Sequence, residues 1–142
     1  MPRLLLYLCI SIIGACRILS AQLIDSIQIP TRAKENPEVV FHYRVPENYD
    51  ITSKSKSRLL IYFGGRNTDG FKEVDNPSWG AWCDKNGVFL IVPSYKNDNY
   101  WEPQKWSGKA LLEAIAQLKK KYPQYQILIT KRKTANALAV FL

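Results

Sequence analysis

Histidine and cysteine are scarce in this chain of 142 residues, which holds one histidine, His42, and three cysteines. Cys9 and Cys16 sit in an apolar N-terminal stretch, so the remainder keeps Cys83 alone and has no internal disulfide. With no histidine nearby to lower its pKa, Cys83 reads as a small buried hydrophobe rather than a nucleophile. No apolar run reaches the ~20 residues that a membrane-spanning helix needs. Internal repeats, low-complexity segments, metal-ligand spacings and cofactor motifs are also missing, so no metal or cofactor is assigned. Acidic side chains are few: 20 basic residues face 12 acidic ones, for a net charge of +8.

The first residues form a leader rather than part of a domain. Arg3 precedes the apolar run Leu4 to Ala15, and Ser20-Ala21 supplies the small residues that a signal peptidase cleaves after. Residues 1–21 are therefore expected to be a secretory signal and 22–142 the mature domain, secreted or periplasmic. An alternative at the same segment is Ile13-Gly14-Ala15-Cys16, which has the form of a lipobox with Cys16 as a lipid anchor; Arg17 directly after it favours simple cleavage. Loss of Arg3 and Arg17 with the leader lowers the charge from +8 to +6. The excess lies in Lys119-Lys120-Lys121 and Lys131-Arg132-Lys133, short runs that suit solvated helix ends and not a nucleic-acid footprint.

Secondary structure follows from periodicity. Gln22 to Glu38 shows no sustained pattern and reads as an extended lead-in. Val39, Phe41, Tyr43 and Val45 alternate with His42 and Arg44, a half-buried strand that leaves His42 at a surface or edge. A polar loop then leads to Leu59-Leu60-Ile61-Tyr62-Phe63, and these two strands are expected to neighbour one another, antiparallel. A helix over Trp79 to Asn86 is expected from Ser78 as N-cap, Gly87 as stop, and Trp79, Trp82 and Cys83 on one face. Val88 to Val92 is the next buried strand, ended by Pro93 and parallel to the preceding one because a helix lies between them. Ala110, Leu111, Ala114, Ile115 and Leu118 predict a helix over Ser107 to Lys121, stopped at Tyr122-Pro123. Gln126 to Ile129 predicts a further parallel strand. The class is α/β, a mostly parallel sheet flanked by helices in the order β-β-β-α-β-α-β.

Two stretches carry candidate chemistry. The five apolar residues Leu59 to Phe63 suit a strand covered on both faces, and they end at Gly64-Gly65-Arg66-Asn67-Thr68-Asp69-Gly70. Glycine admits φ > 0 and close approach of a ligand, so Gly64-Gly65 could present amides to an anion or a developing oxyanion; a plain Gly-Gly turn is the alternative. The second stretch follows Val92-Pro93-Ser94 and places Tyr100, Trp101 and Trp106 among polar residues. It could line a substrate cleft or simply tuck onto the core.

Phe63-Gly64-Gly65-Arg66-Asn67-Thr68-Asp69-Gly70, Val92-Pro93-Ser94-Tyr95, the run Tyr100 to Gly108 and the helix leading to Tyr122-Pro123 together resemble the N-terminal half of secreted bacterial α/β-hydrolases, of the esterase and polyester-depolymerase type. The resemblance spans Val39 to Ile129. It implies that the amides of Gly65 and Arg66 are oxyanion-hole donors, the role of the HGGG-type loop, with Phe63 where that motif has histidine. It also implies a Gly-x-Ser-x-Gly elbow after Ile129. Thr130-Lys131-Arg132-Lys133-Thr134-Ala135 stands there instead, with Lys133 at the serine position, and no such elbow occurs elsewhere in the chain. His42 precedes the whole site and cannot be the family's catalytic histidine. The expectation is therefore a truncated or frame-shifted hydrolase half, inactive alone, with no catalytic residue assigned and an ester as the ligand class. Its last strand would be an apolar edge open to self-association. The alternative is a secreted, non-catalytic binding module in which Tyr100, Trp101 and Trp106 stack on a carbohydrate or aromatic ligand.

Overall fold

The computed structural model describes residues 24–34, 36–50, 52, 57–65, 67–94, 106–123, 130–131 and 140–141. The N-terminal stretch read as a leader, Arg66, Tyr100, Trp101 and the strand expected over Gln126 to Ile129 lie outside the described residues. Strand β1 runs over Ile24–Ala33, β2 over Asn36–Arg44 and β3 over Arg58–Ile61; helices α1 (Gly70–Val74) and α2 (Pro77–Asn86) follow. Next come β4 (Val88–Ser94), helix α3 (Ser107–Lys121) and two strands of two residues, β5 (Thr130–Lys131) and β6 (Val140–Phe141).

The sheet is mixed, in the order β1-β2-β4-β3-β6-β5. Only β3 and β4 are parallel, with Leu60 opposite Leu90 and Ile61 opposite Ile91. The expected mostly parallel sheet is thus corrected among the described residues. β2 begins three residues after β1 ends, too close for anything but an antiparallel hairpin, whereas the β3-to-β4 connection carries α1 and α2, the kind of crossover a parallel return requires. The outer neighbour of β3 is β6, antiparallel.

Three local expectations also change. The stretch read as an unpatterned lead-in is β1, paired with β2 from Ile24 opposite Arg44 to Pro30 opposite Glu38. Along its α3 side Ile27 and Ile29 pack on the core while Asp25 stays exposed, which leaves too short an alternation to read. Pro30 is tolerated because β1 is at the sheet's edge, where a missing N–H need not break a ladder. Next, β2 and β3 are not neighbours: β4 lies between them, antiparallel to β2 with His42 opposite Val92. Finally, α2 begins before Ser78. Asn76 is the cap, its side chain accepting from the Ser78 amide at 2.9 Å. Pro77 sits in the first turn, where its fixed φ suits the helix and its missing N–H is not needed. Gly87 ends α2 at φ 60, as expected of a left-handed stop.

The sheet is covered on both faces. Phe41, Tyr43, Leu59, Ile61, Phe89 and Ile91 face α3, which contributes Ala110, Ala114, Ile115 and Leu118. Leu60, Leu90, Val88 and Val92 face the other way, toward Val74 of α1 and Cys83 of α2. This two-sided burial explains why β3 and β4 read as continuous apolar runs. It also corrects the placing of His42, which lies half-buried beneath α1, its ring edge-on to Phe71 at 5.9 Å.

Candidate functional site

Where two adjacent parallel strands send their following helices to opposite faces of a sheet, a crevice opens at their carboxyl ends, and ligands of α/β proteins bind there. β3 and β4 are such a pair, since α1 and α2 follow β3 on one face and α3 follows β4 on the other. At those carboxyl ends stand residues 62–65 and 67–70 after β3 and Ser94 at the end of β4.

The loop after β3 is held tightly. Tyr62 continues the ladder, its amide donating to Ile91 O at 3.0 Å. Gly64 is buried, and a Cβ there would lie 2.1 Å from Thr68 Oγ1 and 2.9 Å from Thr68 Cβ. Thr68 Oγ1 in turn donates to Gly65 O at 2.5 Å, and Asn67 makes the turn in the left-handed region at φ 56. The expected use of positive φ at Gly64 and Gly65 is therefore corrected: Gly87 is the glycine at positive φ among the described residues. Gly64 is required because the loop folds its own threonine over it. Gly65 is exposed, and a Cβ there would meet no heavy atom within 4 Å. Among the described residues, no acceptor meets the amides of Gly64 and Gly65.

Asp69 then caps α1, its carboxylate accepting from the amides of Phe71 and Lys72 at 3.1 and 3.4 Å. A cap of this kind stabilises a helix by about 1 kcal/mol, which matters for a helix of five residues. Ser94 Oγ accepts from Gly70 N at 2.9 Å and ties the end of β4 to α1. Gly70 must be glycine, because a Cβ would come within 2.5 Å of Val92 O and 3.0 Å of the His42 ring. Burial pulls the His42 pKa below its ordinary 6.5, against the opposing pull of the Asp69 carboxylate.

Of the residues singled out in the sequence, Gly64 and Gly65 line the crevice. Trp106 does not. It stands at the start of α3, partly buried against the core on the α3 face. Cys83 is buried, and desolvation pushes its thiol up to about 11, so it is no nucleophile at neutral pH. Thr68, Gly70 and Ser94 shape the site; the sequence offered them only as members of the stretches Phe63 to Gly70 and Val92 to Tyr95, and Asp69-Gly70 before the apolar pair Phe71 and Val74 is the local cap signal that could have found α1. Among the described residues no group of three or more His, Cys, Asp or Glu side chains could hold a metal, and no helix is long and apolar enough to cross a membrane. No family model, curated protein or solved structure matches the chain.

Proposed function

We propose that the chain is the oxyanion-loop half of a secreted serine carboxylic-ester hydrolase of the α/β-hydrolase type, with no triad chemistry of its own. One observation carries the reading: the Gly64-Gly65 turn lies between the third strand and the first helix, at the carboxyl ends of a parallel pair, with its amides unclaimed by the described residues. In that family the loop between third strand and first helix donates an amide to the oxyanion. Helices on both faces of the sheet also agree with an α/β-hydrolase core, the β1–β2 hairpin forming its antiparallel edge.

The chemistry that such a loop supplies is stabilisation of charge. When a hydroxyl attacks an ester carbonyl, the carbonyl oxygen becomes an oxyanion, and fixed N–H donors about 2.7–3.1 Å from it contribute roughly 3–4 kcal/mol each. Thr68 fixes the turn through Gly65 O, so these donors need no reorganisation as charge develops. The attacking serine, its histidine and its acid have no counterparts among these residues. Lys131, Lys133 and Ala135 stand at the elbow's Gly, Ser and Gly positions, and His42 is covered by α1.

Reading the encoding locus in all three frames through and beyond Ile129 tests this proposal. An elbow serine followed by an acid and a histidine is the expected result. An open downstream frame that encodes no such series contradicts it.

A further inference from the structure

A second site lies on the opposite face of the sheet. Between β1 and the first two turns of α3 runs a groove of about 440 Å³, lined by Ile29, Pro30, Arg32, Trp106, Lys109 and Glu113 among others. The volume is within the range of small-molecule sites. The strand registers, Ile29 opposite Val39 and Val40 opposite Ser94, put the β1 wall just past the end of β4. The groove therefore opens at the carboxyl end of the sheet, where α/β proteins place ligands, but on the α3 side.

Its chemistry is graded along the helix. Trp106, Lys109, Ala110 and Glu113 recur at helical spacing, so one side of the groove is a stripe of α3 roughly 10 Å long at 1.5 Å per residue. At the N-terminal end the groove is bordered by apolar Trp106, Ile29 and Pro30. Arg32 and Lys109 stand beside it, exposed, and neither forms an ion pair among the described residues. Glu113 lies one turn further on and accepts from the Gln117 side chain at 3.1 Å. Two cations at one end and a carboxylate at the other suit one negative charge and repel a second.

We propose that this groove binds a small aromatic monocarboxylate, its ring against Trp106 and its carboxylate between Arg32 and Lys109. Arginine matches a carboxylate with two parallel N–H donors, which fixes orientation as well as charge. The inference rests on the groove alone and holds whether or not the chain descends from a hydrolase.

Titration of the ¹⁵N-labelled chain with benzoate tests it, with benzamide as a ring without charge and inorganic phosphate as a charge without a ring. Benzoate is expected to move the Trp106 indole N–H and the Arg32 and Lys109 amides. Benzamide and phosphate should each bind about tenfold more weakly or worse, and Arg32→Gln and Lys109→Gln should each weaken benzoate by about the same factor, one charge contact's worth. Both variants change exposed side chains, so the fold survives them. Equal binding of benzamide would remove the cations from the account, equal binding of phosphate would remove the ring seat, and shifts absent or confined to the Gly64–Thr68 loop would overturn it.

Discussion

The Ser94 hydroxyl accepts from the Gly70 amide at 2.9 Å, joining the last residue of β4 to the first residue of α1 across 24 positions of sequence. The bond closes one wall of the crevice onto the other. It also sets Gly70 against the β4 backbone so closely that a side chain has no room, and it holds α1 over His42.

The three loop glycines should respond unequally to alanine. Gly70→Ala drives a methyl to 2.5 Å from Val92 O, a backbone atom that cannot turn aside, and should cost 2 kcal/mol or more, at about the upper end of overpacking penalties. Gly64→Ala meets the Thr68 side chain, including its Cβ at 2.9 Å, so a new rotamer alone does not relieve it. It should cost about 1–2 kcal/mol. Gly65→Ala meets nothing and should be nearly neutral. Denaturant midpoints of the three variants check the ranking.

Burial rather than distance should rank the ion pairs. Arg44 donates to Asp84 at 2.9 Å with side chains 13% and 20% exposed, and Asp84 also accepts from the Glu47 amide. Lys121 approaches Asp25 more closely, at 2.7 Å, but the two are about half exposed, 52% and 45%. Exposed pairs contribute less than about 1 kcal/mol. Arg44→Met strands a mostly buried carboxylate and should cost roughly 2–3 kcal/mol, somewhat under the range for fully buried pairs. Double-mutant cycles on both pairs should return the larger coupling for Arg44 and Asp84.

His42 should make stability depend on pH just below neutrality. Its pKa is lower in the folded chain than the ordinary 6.5, chiefly through burial under α1, so the unfolded chain takes up its proton first. The contribution is complete above pH 6.5 and is lost as pH falls from there toward the folded value. Asp69, facing the ring from the cap of α1, limits the loss. Asp25 acts at lower pH: the hydrogen bond from Lys121 holds its carboxyl below 3.8, so its stabilisation is full above that value and fades as pH falls through the folded one. Unfolding free energies from pH 5 to 8 should slope for the native chain and flatten for His42→Gln.

What could be read from the sequence was whatever a local period or a steric requirement encodes. Helix α3 matches its spacing to the residue, Ser107–Lys121, and Gly87 stops α2 where a left-handed residue is needed. Strand β1 was illegible because the exposed Asp25 interrupts its α3 side, and only the fold reveals that Lys121 and Tyr43 answer it there. Helix α1 was hidden by its length, five residues giving too little periodicity to stand out. At the site, Gly64-Gly65 announced a turn, but the reason for Gly64 is the packing of Thr68, four residues on. The Ser94–Gly70 joint is a long-range contact with no local signature at all.

The most direct test of the central claim is to follow the Gly64 and Gly65 amides by NMR while a butylphosphonate monoester, a tetrahedral anion standing in for the acyl-transfer intermediate, is added. Shifts centred on Gly64 to Thr68 are expected, with ethyl butyrate, the neutral ester, moving them far less, because the loop's donors are arranged for charge. If the phosphonate leaves these amides unmoved, or moves only Arg32 and Lys109, then the Gly64-Gly65 turn is no oxyanion loop.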